Sequence, residues 1–368
     1  MNTTQQLFAA GQSVWYDNIQ RSLLRNGEMA GMIERGEIRG VTSNPSIFQN
    51  AIAKSQDYDA GLEPLVRAGR DAEQIFWQLA VEDIQAAADL FRPLYEESNR
   101  GDGYVSLEVN PYLAQDAERT LVEARQLWQR VDRPNLMVKI PATQAGLPAI
   151  TAAIAAGINI NVTLIFSRQR YEGVMDAYLQ GLEQRSAQGL PLDSIASVAS
   201  FFVSRVDTKV DARLLELGAD SGPAANLLGK TAIANARLAY ADFQRVFAAE
   251  RFQALKAKGA RVQRPLWAST STKNPAYRDV LYVEELIGPH TVNTVPPQTL
   301  KAFLEHGQVR LSLEKDLDGA RQVLADLEAL GISMDRVTDE LEDEGVKAFA
   351  DAFTALLDTV EARRQAAN

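Results

Sequence analysis

Apolar positions fall in two alternating patterns along the chain. Short β-like runs occur at Val14–Ile19, Gly40–Ile47, Tyr104–Val109, Leu136–Ile140, Ile160–Phe166, Ile195–Val203, Pro265–Ser269 and Thr291–Val295. Such runs predict strands buried on both faces. Between them the apolar period lengthens to that of a helix. Tyr171, Val174, Met175, Tyr178, Leu179 and Leu182 share one face, as do Ala117, Leu121, Ala124, Leu127, Trp128 and Val131 within 116–131. Val346, Phe349, Ala350, Phe353, Leu357 and Val360 form a last stripe, which predicts a C-terminal helix near 343–364. The stretch Asp59–Glu97 has room for two or more helices, with a kink or break predicted at Pro93.

Eight strand–helix units without a Pro/Ser-rich linker predict an α/β fold, a (β/α)8 TIM barrel with additional helices, occupying 1–368 as one domain. The competing arrangement is a doubly wound open sheet. No GxGxxG or GxxxxGK[ST] follows any strand, so the usual nucleotide fingerprints are missing.

Composition narrows the chemistry. The sequence has no Cys, which excludes disulfides, thiolate nucleophiles and Cys-ligated metals. Its two histidines, His290 and His306, lack metal-ligand spacing and leave little scope for Ser-His-Asp catalysis. Acid–base work near neutral pH therefore falls to carboxylates or a tuned Lys, and no metal or organic cofactor is expected. A net charge of −10 argues against a general nucleic-acid surface. The N-terminus lacks a basic start with an apolar run, and no stretch is long enough to cross a bilayer, so a cytoplasmic protein without a membrane partner is expected.

Polar residues inside the apolar runs carry the functional signal. Lys139 sits in Leu136-Met-Val-Lys-Ile-Pro141. It is either a strand-end Lys that snorkels or pairs, or an amine whose pKa burial lowers from about 10.4, making it able to attack a carbonyl and form a Schiff base. Period two places Thr42 with Asn44, Asn161 with Thr163, and Ser200 with Phe202; Asp17 and Glu108 add carboxylates on two further strands. Each has a structural alternative: Asn44 precedes Pro45 and could open a turn, Asn161 and Thr163 could satisfy a barrel layer, and Asp17 could cap a helix beginning near Asn18. Six of the eight runs nevertheless carry such a residue near their carboxyl ends, where barrel enzymes assemble their sites. Arg205 after the sixth run and Ser269-Thr-Ser-Thr-Lys273 after the seventh are candidates for holding an anion, against an alternative in which Arg205 pairs with Asp207 and Lys273 is solvated.

In this order, Val41-Thr-Ser-Asn-Pro-Ser-Ile47, Val105-Ser-Leu-Glu-Val109, Val138-Lys-Ile-Pro-Ala142, Asn161-Val-Thr-Leu-Ile-Phe166 and Ser200-Phe-Phe-Val-Ser-Arg205 resemble the transaldolase family over roughly 14–300. The run Trp267–Asn274 resembles the longer bacterial and plant-like subgroup. The resemblance implies that Lys139 is the Schiff-base lysine, Asp17 the acid–base carboxylate, and Glu108 with Thr163 the pair acting through a water. It implies that Asn44 and Asn161 donate to substrate hydroxyls, that Thr42 stands beside them, and that Ser200, Phe202 and Arg205 line the donor and its phosphate. Ser269 aligns with the phosphate site; the better-known subgroup carries Arg two positions on, where this chain has Ser271, and Lys273 is the candidate replacement. A phosphoglucose isomerase domain follows in some relatives of this subgroup, and that second activity is not expected here.

The activity so implied moves a dihydroxyacetone unit from a ketose phosphate (sedoheptulose 7-phosphate or fructose 6-phosphate) to an aldose phosphate (glyceraldehyde 3-phosphate or erythrose 4-phosphate). The partners are small sugar phosphates, and the chain is a monomer or homodimer. Related fructose-6-phosphate aldolases tend to place a Tyr where this chain has Phe202. Phe has no proton to give the enamine, which favours transfer over simple cleavage. A Schiff-base aldolase and a non-catalytic sugar-phosphate-binding barrel are the alternatives.

Overall fold

In the computed structural model, which describes residues 1–218 and 223–366, the eight apolar runs become eight parallel strands. They are β1 (Gln12–Tyr16), β2 (Gly40–Val41), β3 (Tyr104–Glu108), β4 (Leu136–Pro141), β5 (Ile160–Ile165), β6 (Ser197–Phe202), β7 (Arg264–Ala268) and β8 (Thr291–Val295). Neighbours pair in sequence order and β8 closes on β1, giving a closed barrel rather than an open doubly wound sheet. Every strand residue except Arg264 is buried, because side chains on one face fill the barrel and those on the other meet the surrounding helices. No described helix is long and apolar enough to cross a membrane.

Several boundaries differ from the sequence pattern, each for a local reason. β2 stops at Val41 because Asn44 turns to cap the helix Pro45–Ala53: its Oδ1 accepts from Ile47 N at 3.0 Å, with Pro45 in the first turn. β7 ends at Ala268 because Ser269 takes a left-handed φ of 54°. The helix Ala72–Glu97 runs through Pro93 without a break; Pro93 lies on its exposed side. The interruption comes earlier, after the helix Asp59–Arg67, where Gly69 has φ 70°. The last helix spans Met334–Ala366 and begins nine residues before the expected start at 343, because Val337 and Leu341 extend its buried stripe.

That last helix lies over the barrel. β5 carries a bulge between Val162 and Ile165, where Leu164 takes φ 61°. A left-handed Leu costs roughly 1–2 kcal/mol. Gly345 of the last helix seats directly on it: a Cβ there would stand 3.0 Å from Leu164 Cδ2. The helix thus packs on the strained step that follows Thr163.

Candidate active site

Strand register explains the central contact. Lys139 of β4 is the ladder partner of Glu108 on β3 and of Asn161 on β5, so all three side chains point into the barrel. Lys139 is 5% exposed. Its Nζ donates to the Ser43 carbonyl at 2.9 Å and lies 3.3 Å from Glu108 Oε2. Ser43 is held in turn by its own Oγ, which donates to the Ser106 carbonyl at 2.7 Å. The Phe349 ring, from the last helix, stands over the amine with its centroid 5.8 Å from Nζ.

Both carboxylates are electrostatically unusual. Burial pushes the Glu108 carboxyl up to about 6, against the pull of the Lys139 charge. Among the described residues neither Glu108 oxygen nor the buried Thr163 hydroxyl has a hydrogen-bond partner, so both groups have capacity for substrate or water. Asp17 follows β1 and is also raised by burial, opposed by the Thr42 hydrogen bond and by the Lys139 and Lys273 charges. Thr42 Oγ1 gives its one proton to Asp17 Oδ1 at 2.7 Å, which leaves Thr294 Oγ1, 2.5 Å away, to donate to Thr42. Asp17 caps nothing: the next helix starts at Arg21 after Gln20.

These groups surround one pocket of about 220 Å³. Asp17, Thr42, Asn44, Lys139, Thr163 and Ser200 line it together with Phe202, Arg205, Ser269, Ser271 and Lys273. Asn44 caps its helix with Oδ1 and also lines the pocket, so the cap does not remove it from the site. Glu108 and Asn161 do not line the pocket wall. Glu108 stands behind Lys139 against an apolar cluster that includes Phe48, Phe76 and Phe353. Asn161 is fully buried, accepting from Ser200 Oγ at 2.7 Å and donating to Ser106 Oγ at 3.1 Å.

Arg205 does not pair with Asp207. Asp207 accepts from Tyr282 Oη at 2.8 Å and from Ala232 N at 2.7 Å. Among the described residues neither Arg205 nor Lys273 has a carboxylate in ion-pair range. Arg205 lies with its Cζ 5.3 Å from the Phe202 centroid, and burial lowers its pKa. Lys273 is lowered by burial and by Arg205, and its Nζ donates to Ser271 Oγ at 2.7 Å. Two cations without a carboxylate partner beside one pocket suit an anion. Ser269, beside them, reaches Ser204 Oγ at 2.9 Å.

The sequence pattern did not single out Thr294, Pro296, Ala268, Ser43 or Phe349. Thr294 carried the same signal as the others, a polar residue near the carboxyl end of a strand. Phe349 carried none, being one member of an apolar helical stripe.

A closed barrel with its reactive side chains gathered at the carboxyl ends of the strands, around a buried amine, defines a (β/α)8-barrel enzyme. The family model for transaldolase/fructose-6-phosphate aldolase matches residues 14–360, and the chain belongs to that family. It is 53% identical over 357 residues to a transaldolase of Thermobifida fusca, covering 97% of this chain and 96% of the relative. To a transaldolase of Frankia alni it is 51% identical over 360 residues, 98% and 96% of the two chains. To one of Mycolicibacterium smegmatis it is 50% identical over 362 residues, 98% and 97%.

Proposed function

We propose that this protein catalyses the transaldolase reaction of the non-oxidative pentose phosphate pathway in the cytoplasm, with Lys139 as the nucleophile. The carrying observation is the buried Lys139–Glu108 ladder pair, 3.3 Å apart, with Asp17 on the same pocket. Glu108 takes a proton from Lys139, and the neutral amine attacks the C2 carbonyl of a ketose phosphate. The carbinolamine then loses its hydroxyl as water, Glu108 and Thr163 supplying the proton through a bridging water, and an iminium forms. Asp17 removes the proton from the C4 hydroxyl. The C3–C4 bond breaks, its electron pair passes to the iminium nitrogen, and an aldose phosphate leaves. The three-carbon enamine stays on Lys139 until another aldehyde arrives. The enamine carbon attacks it, Asp17 returns the proton to the new hydroxyl, and water releases the product ketose. Arg205, Lys273 and the Ser269–Ser271 turn hold the phosphate, Asn44 and Ser200 orient substrate hydroxyls, and Asn161 steadies Ser200 from behind the pocket wall.

Transfer is favoured over simple cleavage because Phe202 and Phe349 line the pocket, and no Tyr or His does among the described residues. A cleaving aldolase must protonate the enamine, and these rings carry no acid. Borohydride added with fructose 6-phosphate is expected to fix a three-carbon adduct on Lys139, and Lys139→Ala to prevent it while the far-ultraviolet dichroism is unchanged. Added erythrose 4-phosphate is expected to yield sedoheptulose 7-phosphate. The absence of an adduct removes the Schiff-base reading; dihydroxyacetone release at the same rate without acceptor replaces transfer by cleavage.

A further inference from the structure

A second cavity, about 620 Å³, opens at the opposite end of the barrel, where the strands begin. Its floor is organised by Asp102, which is 2% exposed. The Asp102 carboxylate accepts from Ser13 Oγ at 2.6 Å, Trp15 Nε1 at 3.2 Å, Arg39 Nε at 2.8 Å and Arg264 Nη2 at 3.2 Å. One carboxylate thus serves two guanidinium groups, and the trio keeps a net positive charge. Arg39 spends only Nε on Asp102, so among the described residues both its Nη groups remain uncommitted. Its guanidinium stacks on Phe8, 3.6 Å from the ring centroid, which fixes the plane of those donors.

A plug that merely closes the barrel floor accounts for Arg39, Arg264 and Asp102. It does not account for Arg100 and Arg261, which line the same cavity and do not touch Asp102. Arg261 has no carboxylate in ion-pair range among the described residues, and the nearest acid to Arg100 is Asp193 at 3.7 Å. The only other acid on the wall is the exposed Glu97. Four arginines therefore meet three acids, Asp102, Glu97 and Asp193, in a chain whose net charge is −10. Between them lies an apolar wall that includes Met137, Val198 and Tyr104. Guanidinium donors beside an apolar wall, in a cavity within the usual size of ligand pockets, suit an organic phosphate: oxyanion on the arginines, body on the wall.

We propose that this cavity is a second binding site, for a phosphorylated small molecule, separate from the pocket around Lys139. Inorganic pyrophosphate is the probe, titrated calorimetrically. Arg205→Gln with Lys273→Gln silences the phosphate end of the active site, and this variant is expected to bind one equivalent where the unaltered protein binds two. Adding Arg100→Gln and Arg261→Gln is expected to weaken that remaining site by about tenfold or more. Arg100→Gln with Arg261→Gln alone, which leaves the Lys139 pocket intact, is expected to keep one site at its original affinity and to weaken the other by the same factor. Loss of all binding in the first variant, or unchanged affinity when Arg100 and Arg261 are replaced, overturns the proposal.

Discussion

Replacing Glu108 with Gln preserves the side chain's size and removes both a charge and a base. Glu108 Oε2 stands 3.3 Å from Lys139 Nζ, and neither side chain is more than 7% exposed. At an effective dielectric of about 20 that separation corresponds to an attraction of about 5 kcal/mol. Desolvation opposes it, which is why the carboxyl is still pushed up to about 6, so the attraction is not a stability increment. What Glu108→Gln costs is proton transfer, for which a positioned base contributes roughly 10²–10⁴-fold. The pH dependence follows from the same shift. Glu108 acts as base in its ionised form, and that fraction falls as pH falls through about 6. The donor kcat/KM should therefore drop about tenfold per pH unit below that point, beyond any limb due to Asp17, and the Glu108→Gln variant should lack the inflection. The assay is release of glyceraldehyde 3-phosphate from fructose 6-phosphate with erythrose 4-phosphate, read from pH 5 to pH 9, with borohydride trapping alongside. Turnover within about threefold of the unaltered protein, or the same inflection near pH 6, would falsify the role and reduce Glu108 to a counter-ion.

Phe349→Ala should open the space above Lys139 to water and raise acceptor-independent dihydroxyacetone release relative to transfer. Because the truncation itself costs about 3–5 kcal/mol, Phe349→Leu is measured in parallel, and an unchanged product ratio in both makes the ring mere packing. Asp207 offers a stability test away from the chemistry: burial pushes its carboxyl from 3.8 up to about 7. With the folded value above the unfolded one, its contribution is complete below about pH 4 and is lost as pH rises through about 7. The Tm difference, Asp207→Asn minus unaltered, should therefore widen between pH 5 and pH 8 by up to a few kcal/mol equivalent, and a flat difference refutes the burial effect. Gly103→Ala should lower the unfolding free energy read from urea titration by about 2 kcal/mol or more, since a Cβ at its φ of 82° would stand 2.6 Å from Tyr95 N; an unchanged midpoint contradicts that crowding.

The barrel was legible because strands buried on both faces must be apolar almost throughout, and a closed parallel sheet needs one such run per helix. The boundaries were less legible, because single residues with local partners set them. Asn44 looks like strand until its side chain is seen to cap the next helix, and Ser269 until its backbone turns left-handed. Lys139, Glu108 and Asp17 stood out in the sequence for the converse reason. No neighbour along the chain offers them a partner, so only the fold can supply one, and the register of β3 on β4 brings the first two together. Phe349 shows where this reasoning ends. An apolar stripe states that a helix face is covered, not what it covers, and the element beneath is distant in sequence. The left-handed Leu164 is equally silent, because nothing in Val162-Thr-Leu-Ile165 distinguishes a bulged strand from a regular one. Yet the bulge and the helix meet through Gly345, whose missing side chain lets the last helix settle onto β5. The seating of Phe349 over Lys139 therefore depends on one residue without a side chain and one in a strained backbone, neither of which carries chemistry that a motif could register.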